Sequence, residues 1–123
     1  MKLLLDMHIF LWCISEPDRI AADQRRRIES LANTVYVSAI SVAEIAIKAS
    51  LGKLTVTFDP NEEIRAAGFE PLHFTGRDAA RLQTLPFHHR DPFDRMLISQ
   101  SLEAHIPIVT QDPAFRLYGC QLA

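Results

Sequence analysis

The sequence predicts an α/β fold, a three-layer α/β/α sandwich in which a mostly parallel central sheet lies between two layers of helices. Two observations lead to this prediction. Short apolar segments alternate along the chain with longer segments of helical periodicity, and parallel strands need such crossover connections. Apolar residues make up 48% of the 123 residues, which is enough to cover both faces of a sheet. We therefore expect one domain spanning residues 1–123.

The first half of the chain opens with a strand and a helix. Residues 3–5 are predicted to form a short buried strand, and residues 7–14 an apolar helix that ends at the turn formers after it. A charged amphipathic helix at 20–32 follows. The β-branched and aromatic segment 35–37 predicts a second strand, and residues 41–51 a further helix.

The second half continues the alternation. Thr75 and Asp78 form a capping pair that opens a predicted helix at 75–85. Residues 53–60 are expected to be a loop with short extended structure. The other predicted elements are a helix at 61–67, a strand at 71–74, a helix at 92–104, a strand at 108–110 and a short helix at 113–118.

Composition and charge exclude several classes of protein. A formal charge of −2 and a pI near 6.2 argue against binding of polyanions by bulk electrostatics. Cys13 and Cys120 have no paired spacing, so we expect reduced thiols in a cytoplasmic protein. Asp6 interrupts the apolar N-terminal run, which argues against both a signal peptide and a membrane span.

Four acids stand in or beside apolar segments: Asp6, Glu44, Asp94 and Asp112. Two follow predicted strands and two lie near the starts of predicted helices, so all four can point to the carboxyl edge of the sheet, where ligands bind in such folds. A divalent cation would relieve the repulsion among them. The pattern therefore predicts a metal site.

Capping offers a local explanation for some of these acids. Glu44 forms a capping box with Ser41, or pairs with Lys48, or faces inward on the stripe of Ile40, Ile47 and Leu51. These alternatives stay open. Asp112, before Pro113, is also compatible with a simple N-cap.

Asp6 and Asp94 are harder to explain in this way. Asp6 ends a strand among large apolar side chains and has no comparable capping role. Asp94 heads the apolar stripe that continues at Leu97 and Ile98, where an unpaired charge is costly. Its neighbour Asp91, before Pro92, is predicted to be the N-cap of this helix.

The chemistry that suits such a cluster is hydrolysis of a phosphodiester. Carboxylate oxygens are the ligands that Mg²⁺ and Mn²⁺ prefer. A bound ion would activate water, and it would neutralise charge on the scissile phosphate.

At these residues the chain resembles the PIN-domain ribonucleases, and among them the VapC toxins of bacterial toxin–antitoxin pairs. The resemblance covers nearly the whole chain. Its motifs are Leu3-Leu4-Leu5-Asp6-Met7-His8, the segment from Ser38 to Lys48, the segment from His89 to Ile98, and Val109-Thr110-Gln111-Asp112.

The resemblance implies a metal-dependent endoribonuclease whose catalytic and metal-binding acids are Asp6, Glu44, Asp94 and Asp112, with Mg²⁺ or Mn²⁺ as cofactor. It implies a supporting hydroxyl at Thr110. It further implies a homodimer that cleaves RNA, often a structured one such as tRNA, and that a cognate antitoxin holds inactive. One position departs from the pattern, because Met7 stands where the family commonly has a small hydroxyl residue.

Other residues support weaker statements. Arg90 and Arg95 flank the segment 91–94 and are candidates for contact with phosphate, or ordinary solvated arginines. His88 and His89 are candidates for substrate contact, although their loop position favours simple exposure. Phe10 and Trp12 are expected in the core, or at the groove that the family offers to its antitoxin.

Two rival functions remain. The first is a domain of the same fold that binds RNA or protein without cutting it. It is considered because Met7 stands where the family commonly has a small hydroxyl residue. The second is a phosphatase or phosphotransfer domain of related topology. It is disfavoured because Asp6-Met7-His8 lacks the second aspartate expected of a phosphoaspartate enzyme.

Overall fold

The computed structural model describes residues 1–123 and contains one parallel sheet with helices on both sides. The strands are β1 at Lys2–Leu5, β2 at Thr34–Ser38, β3 at Glu70–Leu72 and β4 at Ile108–Val109. The helices are α1 at Met7–Ser15, α2 at Ala22–Glu29, α3 at Ala39–Ser50, α4 at Pro60–Ala66, α5 at Gly76–Arg81 and α6 at Pro92–Ala104, with 3₁₀ segments at Pro17–Arg19 and Pro113–Tyr118.

The residues of β1 separate two apolar cores. Leu3 and Leu5 belong to one core, which also contains buried side chains of α1, α2, α3 and α4. Leu4 points to the opposite core, built largely from α6 and the 3₁₀ segment Pro113–Tyr118. This alternation follows from the two-residue period of a strand. It confirms the predicted three-layer α/β/α sandwich.

The strands lie in the order β3-β2-β1-β4, so the direction in which successive strands are added to the sheet reverses at β1. The chain adds β2 and β3 on one side of β1 and then returns to place β4 on the other. The amide of Asp6 donates to the carbonyl of Val109 at 3.1 Å, so the carboxyl ends of β1 and β4 are adjacent. A crevice at such a reversal is where open α/β sheets bind their ligands.

Helix α2 is shorter than the predicted helix at 20–32. It ends at Glu29 because the side chain of Asn33 turns back and donates to the carbonyl of Arg27 at 2.9 Å, which satisfies a free carbonyl of the last turn. Leu31 is fully exposed beyond this end. The predicted helix at 20–32 therefore extended too far at its C-terminal end.

Two elements near α6 also differ from prediction, and both are set by side chains of α6. Arg95 donates to the carbonyls of Leu85 and Pro86 at 3.1 and 2.7 Å, so the predicted helix at 75–85 ends at Arg81 and the chain leaves it as a loop. Gln100 donates to the carbonyl of His73 at 3.0 Å, and the predicted strand at 71–74 ends earlier, at Leu72. Interactions between distant residues determine both ends.

The remaining predicted elements agree with the structure to within two residues at each end. The expected capping box is present, with Thr75 accepting from the amide of Asp78 and Asp78 accepting from the amide of Thr75. The loop at 53–60 forms no strand. No helix of the chain is both long and apolar enough to pass through a bilayer.

Replacing Gln100 by Leu should destabilise the protein by about 1–3 kcal/mol. Gln100 is buried, accepts from the hydroxyl of Ser38 at 2.5 Å and donates to the carbonyl of His73, and Leu would leave both partners unpaired. Denaturation in urea measures the loss. The exposed Gln83, changed to Leu in the same way, should alter stability by less than about 0.5 kcal/mol. Equal stability of the two variants would contradict this account.

Candidate active site

Asp6 lies at the centre of the carboxyl edge, directly after β1, and its side chain is buried. One carboxylate oxygen accepts from the amide of Ile9 at 2.8 Å, and the other accepts from the hydroxyl of Thr110 at 2.5 Å. Asp6 is thus the N-cap of α1. The expectation that it has no capping role was wrong, because the apolar residues after it form a helix whose first amides need an acceptor.

Thr110 connects two of the predicted acids. Its hydroxyl donates to Asp6 and accepts from the amide of Asp112 at 3.0 Å. Asp112 caps the 3₁₀ segment through the amide of Ala114 at 2.9 Å and is exposed. The capping interpretation of Asp112 is therefore confirmed, and its carboxylate also lies close enough to Asp6 to raise the pKa of Asp6.

Glu44 is buried on α3 and pairs with Lys48 one turn later, with Nζ and Oε2 2.7 Å apart. Helix α3 begins at Ala39 and is capped by Ser38, which accepts from the amide of Ile40. Ser41 and Glu44 consequently do not form a capping box. The structure confirms that Glu44 is buried and binds Lys48. The stripe expected to face inward with it is not buried, because Ile47 and Leu51 are exposed.

Asp91 and Asp94 occupy the start of α6. Asp91 accepts from the amides of Phe93 and Asp94 at 2.9 and 3.3 Å, which confirms it as the N-cap. Asp94 is partly buried, and one of its oxygens lies 3.4 Å from Nε2 of His89. Because α3 packs against α6, Asp94 also lies within electrostatic range of Glu44.

Asp94 feels the charges of the other three predicted acids and of Asp91. Burial raises its pKa to about 7, and the charges of Asp91, Glu44, Asp112 and Asp6 add to this shift in that order. Burial also raises the pKa of Asp6, although the bonds from Thr110 and Ile9 oppose the effect. The side chains come from β1, α3, α6 and the segment after β4, which are distant in sequence.

Lys48 places a positive charge among these acids. Its bond to Glu44 raises the pKa of its ammonium, and the charges of Asp91 and Asp94 act in the same direction. The side chain of Lys48 is about one-third exposed. Lys48 therefore offsets part of the carboxylate repulsion that burial makes costly.

The donor chemistry of this cluster fits a divalent cation of the Mg²⁺ or Mn²⁺ type, which prefers carboxylate oxygens. Burial contributes most to the raised pKa of Asp94, and the neighbouring carboxylates add a repulsion that a cation would relieve. In the present arrangement no three His, Cys, Asp or Glu side chains lie close enough together to hold one ion. A cation bound through Glu44 must compete with Lys48, so coordination requires side chains to move.

Several residues that were considered for substrate contact have other roles. Arg95 is buried, and its guanidinium binds the carbonyls of residues 85 and 86 and lies over the ring of Phe87. Arg90 is exposed, as is His88, whereas His89 is partly buried and was wrongly expected to be simply exposed. Phe10 is completely buried in the core, and Trp12 is half-buried beneath Arg19.

Sequence reasoning missed Tyr118. Its hydroxyl contacts the backbone amides of His88 and His89 and the Nδ1 atom of His89. A single tyrosine near the end of the chain carries no signal that it will meet a loop about 30 residues earlier. Only the packing of the 3₁₀ segment against α6 brings them together.

Comparisons with known proteins agree with this architecture. The sequence model of the PIN domain matches residues 3–119. None of the curated proteins matches the chain by sequence.

Among solved structures, VapBC2 of Rickettsia felis bound to a promoter DNA fragment superposes with a TM-score of 0.74 at 17% identity, covering 99% of this chain and 96% of that chain. DNA-bound VapBC of Salmonella typhimurium superposes with a TM-score of 0.71 at 15% identity, covering 100% of this chain and 97% of that chain. VapBC-1 of nontypeable Haemophilus influenzae superposes with a TM-score of 0.67 at 18% identity, with the same coverage of the two chains, 100% and 97%. At these identities the likeness is one of fold.

Asp94→Asn should stabilise the metal-free protein at pH 8 by an amount on the order of 1–4 kcal/mol. The pKa of Asp94 is raised to about 7 in the folded protein, so the folded state holds this proton more tightly than the unfolded state. The free energy of unfolding of the wild type therefore decreases as pH rises from about 4 to about 7. Asn cannot ionise, so the variant does not show this decrease.

Urea denaturation in the presence of a chelator at pH 5 and pH 8 measures the effect. The advantage of Asp94→Asn should shrink at pH 5. Glu70→Gln, at an exposed position of β3, serves as a control. It should change the free energy of unfolding by no more than about 0.5 kcal/mol at either pH. A pH-independent difference between Asp94→Asn and wild type would contradict the raised pKa.

Proposed function

Because the chain belongs to the PIN-domain family, we propose that it is the toxin of a toxin–antitoxin pair and acts as a divalent-metal-dependent endoribonuclease. The observation that supports this most is the convergence of Asp6, Glu44, Asp94 and Asp112 at the carboxyl edge of the sheet. The structural neighbours named VapBC support the assignment to a toxin.

In this proposal the four acids would hold Mg²⁺ or Mn²⁺. The cation would supply activation of water and neutralisation of charge on the scissile phosphodiester. Thr110 holds one oxygen of Asp6, and the amide of Ile9 holds the other, so the carboxylate keeps a fixed orientation. Asp91 fixes the start of α6 and thereby the position of Asp94.

The departure at Met7 is compatible with this function. Met7 packs in the apolar core beside β1 and offers no hydroxyl to the site. Asp6 nevertheless has a hydroxyl partner, which Thr110 provides from the neighbouring strand end. The bond that orients the first acid is therefore retained from a different part of the chain.

The proposed partners are an antitoxin, an RNA such as tRNA and a second copy of the chain, all met in the cytoplasm. A groove of about 610 Å³ between α1, α2 and α4, lined by apolar side chains including Ile20, Ile28 and Phe69, fits an apolar segment of an antitoxin. Ile47 and Leu51 of α3 are exposed and suit a homodimer interface.

The ion pair between Glu44 and Lys48 favours a second candidate, a PIN-fold module that binds RNA or protein without cutting. In such a module Lys48 would permanently neutralise Glu44. Calorimetric titration with Mn²⁺ distinguishes the two. Absence of binding at millimolar metal would favour the module over the nuclease.

The purified protein should cleave RNA in the presence of Mn²⁺ or Mg²⁺, and a chelator should abolish cleavage. Asp6→Asn and Asp94→Asn should each lower the rate by more than about 100-fold, since loss of a metal ligand costs more than loss of its outer partners. Gel analysis of labelled RNA measures the rate, and circular dichroism checks that the fold survives.

Glu62→Gln, on the exposed side of α4, is the matched control and should cleave like wild type. In cells, expression of the chain alone should arrest growth, and expression of Asp94→Asn should not. Full cleavage by both Asp6→Asn and Asp94→Asn would refute the assignment of the site.

Lys48→Met should tighten binding of Mn²⁺ by about 3- to 10-fold, because it removes an ammonium that competes for Glu44 across a partly exposed ion pair. Calorimetry of the metal-free protein measures the change. Lys53→Met, at an exposed position, should leave the affinity unaltered. Weaker binding by Lys48→Met would mean that Lys48 assists the cation and does not oppose it.

A further inference from the structure

A buried tyrosine hydroxyl organises the loop that leads into α6. Tyr118 is 8% exposed, and its oxygen accepts from the amides of His88 and His89 at 3.2 and 3.0 Å. Nη1 of Arg95 also points to this oxygen from 3.3 Å, while Arg95 binds the carbonyls of residues 85 and 86. The backbone of the loop is therefore fixed from two directions.

The same hydroxyl determines which nitrogen of His89 carries the proton. A phenol oxygen accepts through its lone pairs and donates one hydrogen, and three N–H groups already point to the oxygen of Tyr118. The hydroxyl hydrogen of Tyr118 must therefore point away from these three N–H groups, toward an acceptor. The Nδ1 atom of His89 lies 2.8 Å away, closer than the alternative acceptor, the carbonyl of His89 at 3.4 Å.

It follows that Nδ1 is the acceptor and that the proton of the neutral ring is on Nε2. Nε2 is inaccessible to solvent and has no hydrogen bond within the protein. It faces the carboxylate of Asp94, with Oδ2 3.4 Å away. A shift of about 0.5 Å brings the two atoms within hydrogen-bond distance, so the ring presents a fixed donor to the acidic site.

We propose that His89 is a positioning residue, whose neutral imidazole is held by Tyr118 in the form that donates from Nε2 to Asp94 and so orients that carboxylate. Its consequence for cleavage depends on the proposed nuclease function, but the state of the ring does not. The opposite tautomer, with a free lone pair on Nε2, would make His89 a candidate metal ligand beside Asp94, and the experiment separates these two cases.

Nitrogen NMR of the wild-type protein tests the tautomer directly. Long-range proton–nitrogen spectra of labelled, chelator-treated protein at about pH 8, where an ordinary imidazole is neutral, should show His89 protonated at Nε2 and unprotonated at Nδ1. Tyr118→Phe should move the ring toward a mixture of tautomers. Protonation at Nδ1 in wild type, or no response to Tyr118→Phe, would overturn the proposal.

Two substitutions at His89 test the consequence. The amide of Gln can place an N–H near the position of Nε2, whereas Leu has no donor. His89→Leu should weaken Mn²⁺ binding and lower kcat by about 10- to 100-fold, with KM changed less. His89→Gln should recover most of the Mn²⁺ affinity and most of kcat. Recovery by Gln distinguishes orientation of Asp94 from simple filling of space.

His88→Leu is the matched control, because the side chain of His88 is exposed and meets the ring of Tyr118 only edge to face, while its backbone amide is kept. It should preserve the affinity for Mn²⁺ and the rate. Equal losses in His89→Gln and His89→Leu would overturn the positioning role. If wild type binds no Mn²⁺ and cuts no RNA, the proposed function fails, and the NMR result still decides whether His89 faces Asp94 as a donor.

Discussion

Repulsion among carboxylates in a crevice that excludes much of the solvent is the constraint around which the edge of this sheet is built. Parallel strands end at one edge, so the acids that follow them are brought together by the fold itself. Asp94 has a pKa raised to about 7 by burial and by its neighbours. A hydroxyl from Thr110, an amide from α1 and the ammonium of Lys48 each offset part of the cost.

Helix α6 combines most of the roles that this arrangement needs. Its first turn holds Asp91, which caps it, and Asp94, which faces the other acids. Arg95 turns away from the site and ties down the loop before the helix. Gln100 joins the ends of β2 and β3 from the same helix. This one helix thus positions both the site and the loop beside it.

The fold was predictable from sequence because the apolar segments of the strands and the cap residues of most helices are local signals. The apolar run at residues 3–5 and the capping pair at Thr75 and Asp78 are examples. What failed depended on contacts between distant residues, as in the early end of the helix at 75–85, which Arg95 sets. The four acids were found by their places beside apolar segments, whereas Tyr118 and the orientation of His89 depend on tertiary packing.

The hydrogen bond between Thr110 and Asp6 joins residues 104 positions apart and links the first strand to the last. During synthesis, a growing polypeptide on the ribosome has Asp6 long before it has the hydroxyl that orients it. Strand β4 and Thr110 must be synthesised before they can reach β1 and Asp6. Pairing between strands this distant in sequence is also slow to form. The acidic site is therefore expected to stay incomplete until residues 110–112 have left the ribosome.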